Sequence, residues 1–203
     1  MSRALSAILR HTAPRLGVHL DPEGYAETGA LLRAGPLRNL GATADGLRRL
    51  VAEDNKQRFD LVQWHGTSYI AAVQGHSIPI ERPLGRLLTA ADSPRMGFHA
   101  TTRRAWDSIR SLGLLPGRDT GGTRAEVHLL GDDQSPEAQR RAFRSTADIV
   151  VRIQLQRLIQ DGGRVRCSPN QVLLTSAIAP AYLDGFSTMA VHFRSLDSSR
   201  QGR

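Results

Sequence analysis

"NKQRFDLVQWHGTSYIAAVQGHS", residues 55 to 77, holds two runs of strand-forming residues, Phe59 to Val62 and Tyr69 to Val73, around the turn signal His65-Gly66-Thr67-Ser68. Aromatic and β-branched residues bounded by glycine and serine predict a hairpin. What lies upstream of that hairpin decides the fold. Leu5, Ile8 and Leu9 share one helical face, and the pattern stops at Thr12-Ala13-Pro14, because the residue before proline is pushed out of helical dihedrals. "DPEGYAE" at 21 to 27 reads as a turn, and Ala30, Leu31 and Leu32 open a second apolar stretch. A third helix is predicted from about Asp45, with Leu47, Leu50 and Val51 on one side, ending before "EDNKQRF". Three helices and then a hairpin is winged-helix order.

Downstream the chain changes character. From Pro79 to Pro94 it holds three prolines, Gly85 and scattered charges, which predicts a linker at 81–94 between a first lobe at 1–80 and a second at 95–194. In the second lobe "GFHA" reads as a strand, and Thr101 or Thr102 can cap a helix bearing Ala105, Trp106, Ile109 and Leu112, which Gly113 ends. Further strands are predicted at Val127 to Leu130, Ile149 to Ile153, Val165 to Cys167 and Val172 to Thr175, with a polar helix near Ser135 to Phe143. The fold class expected is α+β. The closing "SLDSSRQGR", 195–203, is polar and is expected to be a disordered tail.

Composition narrows the chemistry. A chain of 203 residues with 40% hydrophobic residues can bury a substantial core. Neither a signal-peptide h-region nor an apolar run long enough to span a membrane is visible, which leads to the expectation of an intracellular protein, cytoplasmic or nuclear. A single cysteine, Cys167, excludes an internal disulfide framework and reads as a small buried apolar residue rather than a nucleophile. The net charge of +8 points to a polyanionic partner, with nucleic acid first, because basic side chains neutralise phosphates and release counterions. Lys56 is the only lysine among 27 basic residues, so arginine replaces lysine everywhere and a lone arginine carries little information.

No G-x-G-x-x-G, G-x-x-x-x-G-K-[ST] or H-E-x-x-H is present, which argues against a Rossmann or P-loop enzyme or a zincin; no metal site is expected. Instead five short groupings follow one another: "ILRH" at 8–11, "NKQRF" at 55–59, "QGHS" at 74–77, "FHATTRRAWDSIRSLGL" at 98–114 and "TRAEVHLL" at 123–130. Arginine and histidine dominate them and carboxylates are scarce. Such a set suits anionic substrates, since guanidinium groups bind phosphate oxygens and histidine moves protons near neutral pH. It does not suit glycosidase chemistry, which needs a carboxylate pair. Taken singly, Arg10 and His11 could merely face the negative end of a helix dipole.

Together and in order, these stretches resemble the NAD-dependent RNA 2'-phosphotransferase family, over roughly Leu5 to Leu183. "SAILRHTAPRLGVHLDPEGY" is similar to the family's Leu-x-x-x-Leu-Arg-His helix and Gly-x-x-Leu-Asp-x-x-Gly turn, "NKQRF" to its Asp-Lys-x-Arg-Phe element, and "AAVQGHSIPIE" to its Gln-Gly-His-Ser signature. "FHATTRRAWDSIRSLGL" follows its His-Gly-Thr helix, and "DGGRVRCSPNQVLLTSAIAPAYL" its closing segment. A literal His-Gly-Thr at His65-Gly66-Thr67 precedes "QGHS" and so stands in the wrong place, which leaves His65 as a hairpin-turn residue and His99-Ala100-Thr101 as the matching position.

The resemblance implies a winged-helix-like RNA lobe followed by a lobe like the ADP-ribosyltransferases. It implies that Arg10, His11, Arg58 and Arg124 form the catalytic group, and that His99, Ala100, Thr101 and His128 bind NAD. The implied partner is a tRNA carrying an internal, splice-junction 2'-phosphate. The implied reaction passes through a 2'-phospho-ADP-ribosylated RNA and releases nicotinamide and ADP-ribose cyclic phosphate. Four positions depart from the family pattern: Ala100 and Gln171 replace glycines, Glu126 the first histidine of His-Val-His, and Leu130 a small polar residue. Two other functions fit the same residues: ADP-ribosylation of terminal phosphates on nucleic acid, and a non-catalytic RNA-binding relic. A monomer is expected.

Overall fold

The turn His65-Gly66 has positive φ at both positions, +46° and +77°. That is the backbone of a type I′ turn, whose twist matches that of the flanking strands. It closes a hairpin of β2 (Phe59–Trp64) and β3 (Thr67–Ala72), in register from Phe59↔Ala72 to Trp64↔Thr67. The structure, a computed structural model, describes residues 1–143 and 145–201, with side chains placed through residue 198. It is mixed α and β with two antiparallel sheets, and the chain divides into two units.

The first unit comprises residues 1–85 together with 123–125 and 168–170. Besides the hairpin it contains β1 (Tyr25–Glu27), α1 (Ser2–Ala7), α2 (Thr28–Arg33), α3 (Gly35–Arg38) and α4 (Ala44–Ala52). Residues 25–27, expected as part of a turn, form a third strand on β3, from Tyr25↔Ala71 to Glu27↔Tyr69. A three-residue strand has too little alternation to announce itself, and pairing with β3 makes it. Thr43 caps α4 by accepting the Gly46 N–H at 3.1 Å. Leu5, Ile8, Leu9, Leu31, Leu37, Leu47, Phe59 and Ile70 meet in one core, Leu50 and Val51 packing at its edge. Each fully buried leucine there contributes on the order of 2 kcal/mol.

The second unit comprises residues 86–122, 126–167 and 171–203. Its sheet of seven strands runs in the order β10-β7-β5-β6-β9-β8-β4. The strands are β4 (Arg86–Leu87), β5 (Gly97–Thr101), β6 (Val127–Gly131), β7 (Ile149–Ile153), β8 (Val165–Cys167), β9 (Leu173–Thr175) and β10 (Leu183–Thr188). Helices α5 (Arg103–Leu112), α6 (Pro136–Ala142), α7 (Leu155–Gln160) and α8 (Met189–Gln201) complete it. Ser135 caps α6 through the Ala138 N–H at 3.1 Å. Neither threonine hydroxyl caps α5; Asp148 accepts the Arg103 N–H at 2.6 Å instead. Gly113 ends that helix with φ +87°, and a Cβ there would lie 2.0 Å from the Ile178 carbonyl oxygen, so only glycine fits.

Two stretches differ from their sequence reading. Within the expected linker 81–94, Arg86 and Leu87 pair with Cys167 and Arg166 as an edge strand, and Leu88 is buried. Within the expected tail 195–203, helix α8 continues to Gln201, and residues 202 and 203 lie outside the described residues. His192 anchors α8 by stacking edge-on against Phe98 and bonding Gln139 at 2.8 Å, contacts that polar composition does not foretell.

Candidate active site

Arg10 and His11 stand on a single turn of π-helix, Ile8–Thr12, in which the Ala13 N–H reaches back to the Ile8 carbonyl at 2.9 Å. Such wide turns arise where the regular ladder is interrupted. Here Pro14 is the interruption: in a continuing α-helix the Arg10 carbonyl would accept the N–H of residue 14, and proline has none. The Gln-Gly-His-Ser loop supplies donors in its place. Ser77 N and Ile78 N donate to the Arg10 oxygen at 2.9 and 3.3 Å. Ser77 Oγ bonds the same oxygen at 3.4 Å and His11 Nδ1 at 2.9 Å. Gly75 in that loop has φ +87°, and a Cβ on it would lie 3.5 Å from Arg10 Nε.

The same loop reaches Arg124, because the His76 carbonyl accepts the Ala125 N–H at 3.3 Å. Arg58 enters from the loop after α4. Asp54, at i−4, accepts the Arg58 backbone N–H at 2.6 Å and pairs with its Nη2 at 3.2 Å, while Nη1 donates to Ser2 Oγ at 3.0 Å. That loop is braced by Asn170, whose side-chain amide donates to the Lys56 carbonyl at 3.0 Å. The closing segment therefore belongs, at 168–170, to the first unit.

All four residues assigned to catalysis thus lie in the first unit, and three guanidinium groups converge there. Burial, then the charges of Arg124 and Arg58, push the Arg10 pKa down to about 10, with Asp54 opposing them. Arg10 remains a cation at neutral pH, yet its Nε and Nη2 are buried without a hydrogen-bond partner among the described residues. A buried charged donor left unpaired costs its desolvation, so this arrangement is built for an anion. His11 is pushed below the usual histidine range by burial and then by Arg10. Asp54 and Ser77 were missed as supporting residues; the i, i+4 spacing of Asp54 and Arg58 was a legible signal, whereas Ser77 stood within the Gln-Gly-His-Ser grouping with nothing to show which residue it meets.

His99, Ala100, Thr101 and His128 lie in the second unit. β5 pairs with β7 along its whole length but with β6 only at Gly97↔Gly131 and Phe98↔Leu130. Beyond Phe98 the ladder between β5 and β6 stops, and His99 Nδ1 donates to the His128 carbonyl at 3.0 Å. His128 Nδ1 in turn donates to the Glu126 carbonyl at 3.0 Å. Thr101 closes β5 by accepting the Asp148 N–H at 3.0 Å.

The four departures fall into different physical classes. Ala100 sits in extended backbone opposite Val150, so the strand accepts its methyl group. Leu130 is 5% exposed and belongs to the packing beside Phe98. Gln171 has φ +61°, a conformation that favours glycine. Glu126 pairs with Arg166. Cys167 is half-buried rather than buried, and burial pushes its thiol up. No helix among the described residues is long and apolar enough to cross a membrane.

Residues 1–177 match the family described as RNA 2'-phosphotransferase, Tpt1 / KptA family. A protein of Herpetosiphon aurantiacus is 36% identical over 183 residues, 90% of this chain and 93% of that protein. One of Burkholderia lata is 33% identical over 183 residues, 90% and 88% respectively. Both carry the name "Probable RNA 2'-phosphotransferase". A Danio rerio protein named "tRNA 2'-phosphotransferase 1" is 30% identical over 191 residues, 90% of this chain and 82% of its own.

Proposed function

This chain belongs to the RNA 2'-phosphotransferase, Tpt1 / KptA family, and from that premise we propose that it is an NAD-dependent enzyme removing an internal 2'-phosphate from RNA, tRNA foremost. One observation carries the reading: Nε and Nη2 of Arg10, buried and without a hydrogen-bond partner among the described residues, at a place where Arg58 and Arg124 add their charges. Three guanidinium groups at one place repel each other and need an anion of multiple charge. A 2'-phosphate dianion supplies it and marks a substrate that a plain diester backbone does not.

Arg10, Arg58 and Arg124 hold the phosphate and stabilise charge that gathers on its oxygens, so the protein contributes placement more than proton transfer. Ser77 and the lowered pKa of His11 keep that imidazole neutral and oriented beside the cations. We read the first unit as a winged-helix-like RNA lobe, supported by its helices ahead of the β2–β3 hairpin, to which β1, between α1 and α2, adds a third strand, and the second as an ADP-ribosyltransferase-like NAD lobe.

The residues of the second unit fit a dinucleotide. His99 and His128 carry oriented ring nitrogens where β5 and β6 part, and the Glu126 charge is taken up by Arg166. NAD, when bound, supplies the ribose carbon from which nicotinamide departs. His99, Thr101 and His128 would hold its ribose and nicotinamide end, with the backbone at Ala100 near the carboxamide. The products are RNA with a free 2'-hydroxyl, nicotinamide and ADP-ribose cyclic phosphate, by way of the 2'-phospho-ADP-ribosylated RNA that the family resemblance implies: the 2'-phosphate displaces nicotinamide, and a ribose hydroxyl then attacks that phosphate and releases the RNA 2'-hydroxyl.

The test is incubation with NAD and a short RNA bearing one internal 2'-phosphate, following both RNA and nicotinamide. Loss of the phosphate with formation of ADP-ribose cyclic phosphate supports the reading. Intact RNA with no nicotinamide release, while the RNA still binds, overturns it.

A further inference from the structure

Helix α4 works on two sides. Leu47 is buried in the core, whereas Gly46, Arg49, Leu50 and Glu53, spaced i, i+3, i+4 and i+7, line a cleft of about 700 Å³. That is the size of a small-ligand site. The loop from Asp54 to Arg58 and the start of α1 complete its walls. Arg58 thus belongs to two places at once: it lines the cleft, and its charge bears on Arg10 in the phosphate site. Its Nη1 donates to Ser2 Oγ, another wall residue, at 3.0 Å.

The two adjacent arginines of α4 differ in how they are used. Arg48 is paired with Asp45, one turn back. Arg49, exposed on the cleft, makes no hydrogen bond or ion pair among the described residues, although Glu53 stands one turn further on. Of the two carboxylates in the walls, Asp54 is taken up by Arg58 at 3.2 Å. The charges of Arg49 and Lys56 therefore outweigh what Glu53 can balance, and the cleft favours an anion. Leu50 and Met1 add an apolar surface on which a base can lie, and Glu53 and Asn55 carry oxygens that can accept from a ribose 2'-hydroxyl. Cations for a backbone phosphate, an apolar patch for a base and acceptors for a 2'-hydroxyl are together the parts of a ribonucleotide site.

We propose that this cleft is a second RNA subsite, holding the nucleotide that adjoins the 2'-phosphorylated one, with Arg49 on its backbone phosphate. An internal 2'-phosphate always has a neighbour on the same chain, and Arg58, shared by the two places, sets them side by side. Filling both restricts the protein to a phosphate embedded in RNA, since a nucleoside 2'-phosphate reaches only the three guanidinium groups. The inference rests on the RNA reading above, but its first test does not need NAD.

The experiment is binding of a short fluorescent RNA bearing one internal 2'-phosphate to the full chain, followed by anisotropy over a range of salt, with a nucleoside 2'-phosphate as the displacing ligand. Arg49→Ala is expected to weaken RNA binding by up to about fivefold, the scale of one exposed ion pair. The slope of log affinity against log salt should become shallower by about 0.7, one single-strand phosphate contact. Affinity for the nucleoside 2'-phosphate should hold. Arg48→Ala, the same loss of charge one residue away, should leave the slope as it is. Both positions are exposed, and a thermal melt checks that both variants fold. Equal effects of the two substitutions on RNA, or an equal loss of the nucleoside 2'-phosphate in Arg49→Ala, overturn the proposal. Arg49-dependent RNA binding in a protein that never consumes NAD upholds the cleft and sinks the reading of function. Turnover of RNA and NAD with an affinity and salt slope indifferent to Arg49 sinks the cleft alone.

Discussion

The Arg10 carbonyl accepts the Ser77 N–H at 2.9 Å, a bond left open to it because Pro14, four residues on, has no N–H. A helix that could not continue has been joined to a loop more than sixty residues away. The join aims a histidine and an arginine together, because the Ser77 hydroxyl also meets His11.

Ser77→Ala keeps the backbone bond and removes the hydroxyl beside His11. Turnover of 2'-phosphorylated RNA is expected to fall about two- to tenfold, matching the roughly 0.5–1.5 kcal/mol of one hydrogen bond. The melting temperature should move little. Steady-state rates alongside a thermal melt check this, and undiminished turnover would remove Ser77 from the site.

Gly75→Ala and Gly17→Ala separate site from backbone. Both glycines have left-handed φ, +87° and +66°, so each alanine costs about 1–2 kcal/mol of stability. Only at position 75 does the added carbon meet Arg10, and nothing lies within 4 Å of the one at position 17. Both variants should melt lower, and only Gly75→Ala should lose affinity for 2'-phosphorylated RNA. Equal affinities would deny that the loop sets Arg10.

Gln171→Gly places glycine at a position with φ +61°. Relief of that strain is expected to stabilise the chain by up to about 1 kcal/mol. The backbone carbonyl that accepts Gln134 Nε2 at 2.5 Å is retained. A chemical denaturation midpoint that falls instead would mean that the Gln171 side chain matters more than its backbone.

His192 should make the protein acid-sensitive. Burial, then the charge of Arg152, push its pKa to about 4 from an ordinary value of 6.5. The unfolded chain therefore takes up the proton first as pH drops. Stability is full above pH 6.5 and declines toward pH 4, by about 3 kcal/mol in all. His192→Phe, though less stable at pH 7 for want of the Gln139 bond, should show a flatter melting-temperature profile between pH 6.5 and 4. An equally steep profile would assign the acid sensitivity to other groups.

Local pattern carried much of this protein. The faces of Leu5, Ile8 and Leu9 and of Leu47, Leu50 and Val51, the hairpin with its His65-Gly66 turn and the strand at Ile149–Ile153 are all settled by residues close in sequence, where periodicity and turn chemistry act. The order of the Arg- and His-bearing motifs was likewise legible, and so was the kinship it signals. Tertiary structure alone decided what distant residues do to one another. It made a strand of Tyr25–Glu27 by pairing it with β3, ordered residues 86–87 on β8, and folded most of the polar C-terminal stretch into α8. It also set Ser77 on Arg10, Asn170 on the Lys56 loop, and Arg166 on Glu126. The physical reason is the same in each case: a hydrogen bond or ion pair between groups far apart in the chain leaves no periodic trace in either segment.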